Sequence, residues 1–230
     1  MLRTKTDNKA IEVAVVYFRS GYLPTHYETS ADWQIRLDIE RSSAIKCPWI
    51  GAHLTGTKKV QQVLTESNLR NKFGVEQETR MKRTFAGMYS LDVNNPKIDQ
   101  IKAWAMEYPE KFVLKVKKGS MPQREGGGNN IYGPALFETL KNTPPDELET
   151  FVLMERLDPF VHENILVRAD QQLKVVKVDS ELGVFGYVLG SRNGIVKQGN
   201  FGHIIRTKPS HFDEGGISTG KAAHDAPFLI

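Results

Sequence analysis

The sequence has only one cysteine, Cys47, so no disulfide can form within the chain. That usage fits a reducing, cytoplasmic compartment, and equally a thiol used only for packing. Long apolar runs are missing as well. Nothing approaches the roughly 20 consecutive residues that a membrane-spanning helix needs, which argues against an integral membrane protein. The amino end, residues 1–9, is polar and has no apolar core of the kind found in secretion signals. Neither sign of charge dominates. The 31 Lys and Arg are scattered among 27 Asp and Glu for a net charge of +4, without the basic stripe of a nucleic-acid binder. The histidines show no zinc-binding spacing, and no Ser-His-Asp arrangement is supported.

What is present is an ordinary globular composition, 40% hydrophobic and 25% charged over 230 residues, enough for one large domain or two small ones. Residues 11–18 are β-branched and almost continuously apolar, which predicts a strand buried on both faces of an α/β sheet. Only ten residues precede it, so the chain is expected to begin partway through a larger domain. Helices are predicted over residues 31–46, 57–67 and 97–108, the last ended by Pro109. A strand over residues 112–115, a glycine-rich loop and a helix opened by Pro134 follow. From residue 151 the pattern turns to short strands, with Asn193 and Gly194 as a hairpin turn. The class is α+β with a largely antiparallel carboxyl half.

The most informative segment runs from Pro122 through Gln123, Arg124, Glu125, Gly126, Gly127, Gly128, Asn129 and Asn130 to Tyr132. Three consecutive glycines let the backbone approach a ligand and aim N–H groups at phosphate oxygens. Glu125 could hold a magnesium ion bridging them. A bare triple glycine is as often a linker; its place between a strand and a helix, framed by Arg, Glu and Asn, favours phosphate. Lys58 and Lys59 open a predicted helix, a pairing more often solvated than phosphate-binding. The strand from Phe151 to Arg156 reads either as core with a charged end or as a hinge whose backbone edge hydrogen-bonds an adenine ring. Arg19, Ser20, Gly21 and Tyr22 follow the first strand, where ligands bind in open α/β sheets and where ordinary turns also lie.

Taken together these segments resemble eukaryotic-type glutathione synthetase, a member of the ATP-grasp superfamily. The resemblance is carried in family order by residues 16–22, 56–62, 84–92, 122–132, 153–155, 180–183 and 202–208. It implies an ATP-grasp domain over residues 56–230 with a lid at about 112–160, preceded over residues 1–55 by the tail of an α/β substrate-binding domain. Lys58, Lys115, Gln123, Arg124, the loop from Gly126 to Asn130, Tyr132, residues 154–157, Glu181, Lys208 and Glu214 match nucleotide contacts. Glu125 matches a magnesium ligand. Arg206 resembles the arginine that holds the peptide substrate, Arg19 to Tyr22 match another substrate segment, and Ile217 and Ser218 fall in the loop over the acceptor amino acid. Arg206, Lys58 and Glu125 are the implied catalytic residues.

The implied reaction uses ATP and Mg2+ to phosphorylate the cysteinyl carboxylate of γ-glutamylcysteine; glycine then displaces phosphate to give glutathione. Catalysis of this kind rests on positioning and on cations that neutralise developing charge. The resemblance also implies a cytoplasmic homodimer. Two departures are visible. The family is about twice as long, and residues 116–121 stand as an insert between the strand lysine and the glycine loop. Looped out, that insert leaves Lys115 its role; extended, it displaces the loop by up to ~20 Å, at about 3.3 Å per residue. The alternative expectations are a non-catalytic nucleotide-binding or subunit-associating fragment, and a sister ligase using another small amino acid.

Overall fold

The structure, a computed structural model, describes residues 2–3, 9–66, 70–116, 130–167, 172–217 and 220–226. They fall into two compact units, one ending at Arg156 and the other beginning at Leu157.

In the first unit, β1 (Leu2–Arg3) and β2 (Ala10–Ile11) pair antiparallel. Next come β3 (Val15–Tyr17), α1 (Ser30–Arg41) and β4 (Ile45–Cys47), with β3 and β4 parallel. Parallel neighbours joined through a helix form a βαβ unit. Thr29 starts α1 through a capping box with Asp32: the Thr29 hydroxyl accepts from the Asp32 N–H while the Asp32 carboxylate accepts from the Thr29 N–H. The predicted helix over residues 31–46 therefore stops early, and its last residues become β4. The expectation of a strand buried on both faces is also corrected. β3 pairs only with β4 among the described residues, and Val15 and Tyr17 are exposed.

The helices α2 (Ile50–Thr55), α3 (Lys58–Glu66), α4 (Arg70–Phe73) and α5 (Val75–Lys82) lead into β5 (Met88–Ser90). Then follow α6 (Ile98–Glu107), β6 (Phe112–Val116), β7 (Asn130–Tyr132), α7 (Gly133–Asn142), α8 (Pro145–Leu148) and β8 (Phe151–Glu155). Their four strands form an antiparallel sheet in the order β5-β8-β6-β7. The central strands β6 and β8 are buried on both faces, which explains their unbroken apolar runs. Phe112, Leu114 and Leu153 point into a core shared with Ile101 of α6 and with Leu136 and Leu140 of α7. Alternation sends Val113 and Val152 to the opposite face, and α3 packs against β5 and β8.

The second unit is a sheet in the order β12-β11-β10-β9, built from β9 (Val161–Ile165), β10 (Val175–Ser191), β11 (Gly194–Pro209) and β12 (Ala223–Asp225). The short strands expected there merge into one long hairpin because register shifts after Phe185 and Leu189 absorb the irregular residues. Its two-residue turn is Arg192 and Asn193, one position earlier than the sequence suggests, and Gly194 takes a positive φ of 120° just after it.

Candidate functional site

Lys58 and Lys59 begin α3, where the helix dipole favours anions over these cations. The structure separates the two lysines. Lys59 Nζ donates to Asp92 Oδ2 at 2.5 Å, and the same oxygen accepts from Ser90 Oγ at 2.6 Å. Among the described residues Lys58 has no such carboxylate: its Nζ donates to the Gln61 side-chain oxygen at 2.8 Å. Half-buried, its pKa is lowered first by burial and then by the charge of Lys115. Lys115 reaches this place because β6 alternation puts it on the same face as Val113, cross-strand from Val152. Two cations expected from the sequence at separate positions are thus near enough for the charge of one to act on the other, on elements that both adjoin β8. A pair held together at an electrostatic cost, one member desolvated, is poised to gain from a phosphate.

The expected adenine segment ends β8. Met154 shares a face with Val152 and so with Lys115, whereas Glu155 turns to the other face, opposite Phe112. There Tyr89 Oη donates to Glu155 Oε1 at 2.5 Å and the Gly87 N–H to Oε2 at 3.2 Å. Main-chain bonds hold the segment too: Glu155 N–H donates to Gly87 O and Arg156 N–H to Lys111 O, each at 2.8 Å. The Arg156 guanidinium lies over the Tyr132 ring at 5.4 Å, and Asn130 pairs with Lys115 across β6 and β7. Leu157, which opens the second unit, is exposed.

In the expected substrate segment, Arg19 to Tyr22, the chain is braced at Gly21 and Tyr22 by His26 and Tyr27, two residues given no role in the sequence analysis. His26 Nδ1 accepts from the N–H groups of Gly21 and Tyr22 at 3.0 and 3.2 Å, and Tyr27 Oη donates to Gly21 O at 3.0 Å. Gly21 has a φ of 77°, and a Cβ there would lie 2.7 Å from Tyr27 Oη, so glycine is required on both counts. Arg19 belongs to the same segment, its guanidinium pKa raised by the hydrogen bond to the Tyr17 hydroxyl. Ser20 is exposed.

In the second unit, cross-strand register brings Glu181 opposite Arg206 and Asp179 opposite Lys208. Arg206 and Glu181 form an exposed ion pair. Lys208 Nζ donates to Asp179 Oδ2 at 2.8 Å and to Phe212 O at 2.6 Å, and Gly215 packs on its aliphatic stem. Between them Thr207, fully buried, bridges the Ser180 hydroxyl and Asp225. Asp179 and Thr207 were legible only as alternating positions of a strand. Glu214 is half-buried in the loop after β11, which also carries the exposed Ile217.

Gln123, Arg124, Glu125, Gly126, Gly127, Gly128, Asn129 and Ser218 lie outside the described residues. So do residues 117–121 of the insert; its first residue, Val116, continues β6 opposite Phe151. Among the described residues no three His, Cys, Asp or Glu side chains gather as a metal site, and Glu125, the expected magnesium ligand, lies outside them. A cleft of about 670 Å³ is lined by Thr65, Tyr89, Asn95, Lys97, Ile101 and Trp104, none of them an expected site residue.

The family described as eukaryotic glutathione synthase, ATP binding domain, matches residues 3–229. The glutathione synthetase of Xenopus laevis is 41% identical over 223 residues, which are 95% of this chain and 45% of that protein. The Homo sapiens glutathione synthetase is 42% identical with the same coverage. The glutathione synthetase large chain of Schizosaccharomyces pombe is 41% identical over 225 residues, 96% of this chain and 44% of its own. This chain therefore spans about half the length of the curated relatives it matches. Among solved structures, a glutathione synthetase-like effector from Globodera pallida in apo form aligns with a TM-score of 0.63. It covers 85% of this chain and 39% of its own at 23% identity, a likeness of fold.

Proposed function

Because this chain belongs to the eukaryotic glutathione synthetase family, we propose that it carries the nucleotide half of an ATP-dependent ligase that joins γ-glutamylcysteine to glycine. The observation that carries this reading is that strand register puts Lys115 on the face of β8 that also carries Met154, near enough for its charge to act on half-buried Lys58. Such a pair suits a triphosphate, and the adjoining strand end suits its base.

In the proposed reaction the cysteinyl carboxylate oxygen attacks the γ-phosphorus and ADP leaves. The glycine amine then attacks the acyl carbon, phosphate departs, and the amine's proton is lost. The side chains bind and orient more than they exchange protons, and the lysines offset charge on the transferring group. Arg206 is assigned to the peptide substrate along with the segment from Arg19 to Tyr22. Glu181, Lys208 and Glu214 are assigned to the nucleotide, and Ile217 and Ser218 to the acceptor. Glu125 is assigned to a magnesium ion, which when bound would neutralise phosphate charge.

The same reading makes residues 56–230 an ATP-grasp domain with a lid at about 112–160, and residues 1–55 the tail of a substrate-binding domain. The parallel β3-α1-β4 unit supports the latter. It also carries a homodimer and a cytoplasmic setting; among the described residues no helix is long and apolar enough to cross a membrane.

The test is a mass-spectrometric assay of the 230-residue chain with ATP, magnesium, γ-glutamylcysteine and glycine. Tripeptide and ADP are expected in equal amounts. A folded chain that binds ATP but yields no tripeptide is a nucleotide-binding fragment, and a product with another amino acid identifies a sister ligase.

A further inference from the structure

The segment over residues 84–92 is part of the family resemblance, yet the proposed reaction gives it no role. The structure ties it to the end of β8. In an antiparallel ladder, a residue whose N–H donates to its partner's carbonyl normally accepts that partner's N–H in return. Glu155 N–H donates to Gly87 O at 2.8 Å, so the Gly87 N–H would be expected on the Glu155 carbonyl. It goes instead to the carboxylate of the same residue, at 3.2 Å. The side chain has replaced its own main chain as acceptor, leaving the Glu155 carbonyl to other donors.

Two features hold the carboxylate in this position. Tyr89 Oη donates to its other oxygen at 2.5 Å, and the Tyr89 ring is fixed edge-on by Trp104 and Phe112, with centroids 5.6 and 6.4 Å away. Gly87 leaves room for it: a Cβ there would come within 2.5 Å of the carboxyl carbon and 2.7 Å of Tyr89 Oη. The carboxylate also lies on the face of β8 away from Met154 and Lys115. A ligand resting on the lysines would therefore meet the Glu155 main chain and not its charge.

We propose that Gly87, Tyr89 and the Glu155 carboxylate form a clasp that presents the Glu155 main-chain carbonyl to the nucleotide base. Tyr89 is then a positioning residue for base recognition. The inference rests on the nucleotide-binding reading above. A strand-end carbonyl accepts from the exocyclic amine of adenine, whereas guanine carries an oxygen at that ring position and would face the carbonyl with a second acceptor. Unpaired polar groups of this kind discriminate strongly between ligands.

The test measures equilibrium binding of ATP, GTP and inorganic tripolyphosphate to the full chain, wild type and Tyr89→Phe, with thermal melting as the check on folding. Tyr89→Phe removes one hydrogen bond to a charged group, so ATP affinity is expected to fall about tenfold. The preference for ATP over GTP should shrink with it, while tripolyphosphate binding stays unchanged. Gly87→Ala, which crowds the same carboxylate, is expected to give the same pattern and serves if the first variant does not fold. Unchanged ATP binding and selectivity in the folded variants, or equal losses of ATP and tripolyphosphate, would overturn the clasp while leaving the nucleotide site standing. A wild-type chain that binds neither ATP nor tripolyphosphate would refute the nucleotide reading, and the clasp with it.

Discussion

Burial lowers the pKa of Lys58, and the charge of Lys115, brought onto the same face by strand alternation, lowers it further. Lys59, its neighbour in sequence, is neutralised by Asp92. Adjacent lysines thus differ in what they can offer a ligand, and this difference sets the first expectation.

A phosphate favours the charged form of Lys58, so nucleotide affinity should fall as pH rises through its lowered pKa, before the ordinary lysine value of 10.5 is reached. Stability has the opposite slope. Between the folded and unfolded pKa values the unfolded chain binds more protons, so this group's contribution to stability improves as pH rises to 10.5. Lys58→Arg, charged throughout, should flatten the affinity profile. A profile of ATP affinity against pH that is identical in both proteins would remove Lys58 from the site.

Asp179 is buried against Lys208, the pair lying between the two strands of the long hairpin. Asp179→Ala leaves a largely buried ammonium without its carboxylate and should cost roughly 3 kcal/mol in urea unfolding. By contrast Glu181→Gln, at the exposed pair with Arg206, should change stability by less than about 1 kcal/mol. Equal costs for the two would contradict the difference in burial.

Gly21→Ala meets two obstacles, a positive φ of 77° and the Tyr27 hydroxyl. The backbone part alone should cost about 1–2 kcal/mol. Adding Tyr27→Phe should return the part due to contact and leave the rest. A double-mutant cycle by thermal melting separates them, and strict additivity would show that the contact does not matter.

Leu114 sits fully buried between α7 and β8. Leu114→Ala should destabilise the first unit by about 2–5 kcal/mol. Chemical denaturation reads this directly, and a loss below 1 kcal/mol would mean the sheet's core is looser than its burial implies.

Much of the first unit was legible because its signals are local. Helices α3, α6 and α7 and strands β6 and β8 follow from apolar spacing, Pro109 and Pro134, and Lys58 and Lys115 stand in recognisable segments. Elements with weak or two-sided patterns were not. Strand β4 was read as helix, since Ile45 continues an apolar spacing that periodicity alone cannot end. The long hairpin was read as fragments, since its glycines look like turns until a partner strand absorbs them in register shifts.

The sequence by itself determined the family, the mixed helix-and-sheet class and the residues available for chemistry, because these depend on composition and on order along the chain. Only the tertiary structure decided which of them are neighbours. Alternation on β6 put the charge of Lys115 where it acts on Lys58, cross-strand register matched Asp179 with Lys208 and Glu181 with Arg206, and the fold carried Gly87 and Tyr89 to Glu155 across more than sixty residues. The reason is physical. Hydrogen-bonding partners and electrostatic neighbours are fixed by distance in space, and non-local pairing sets that distance.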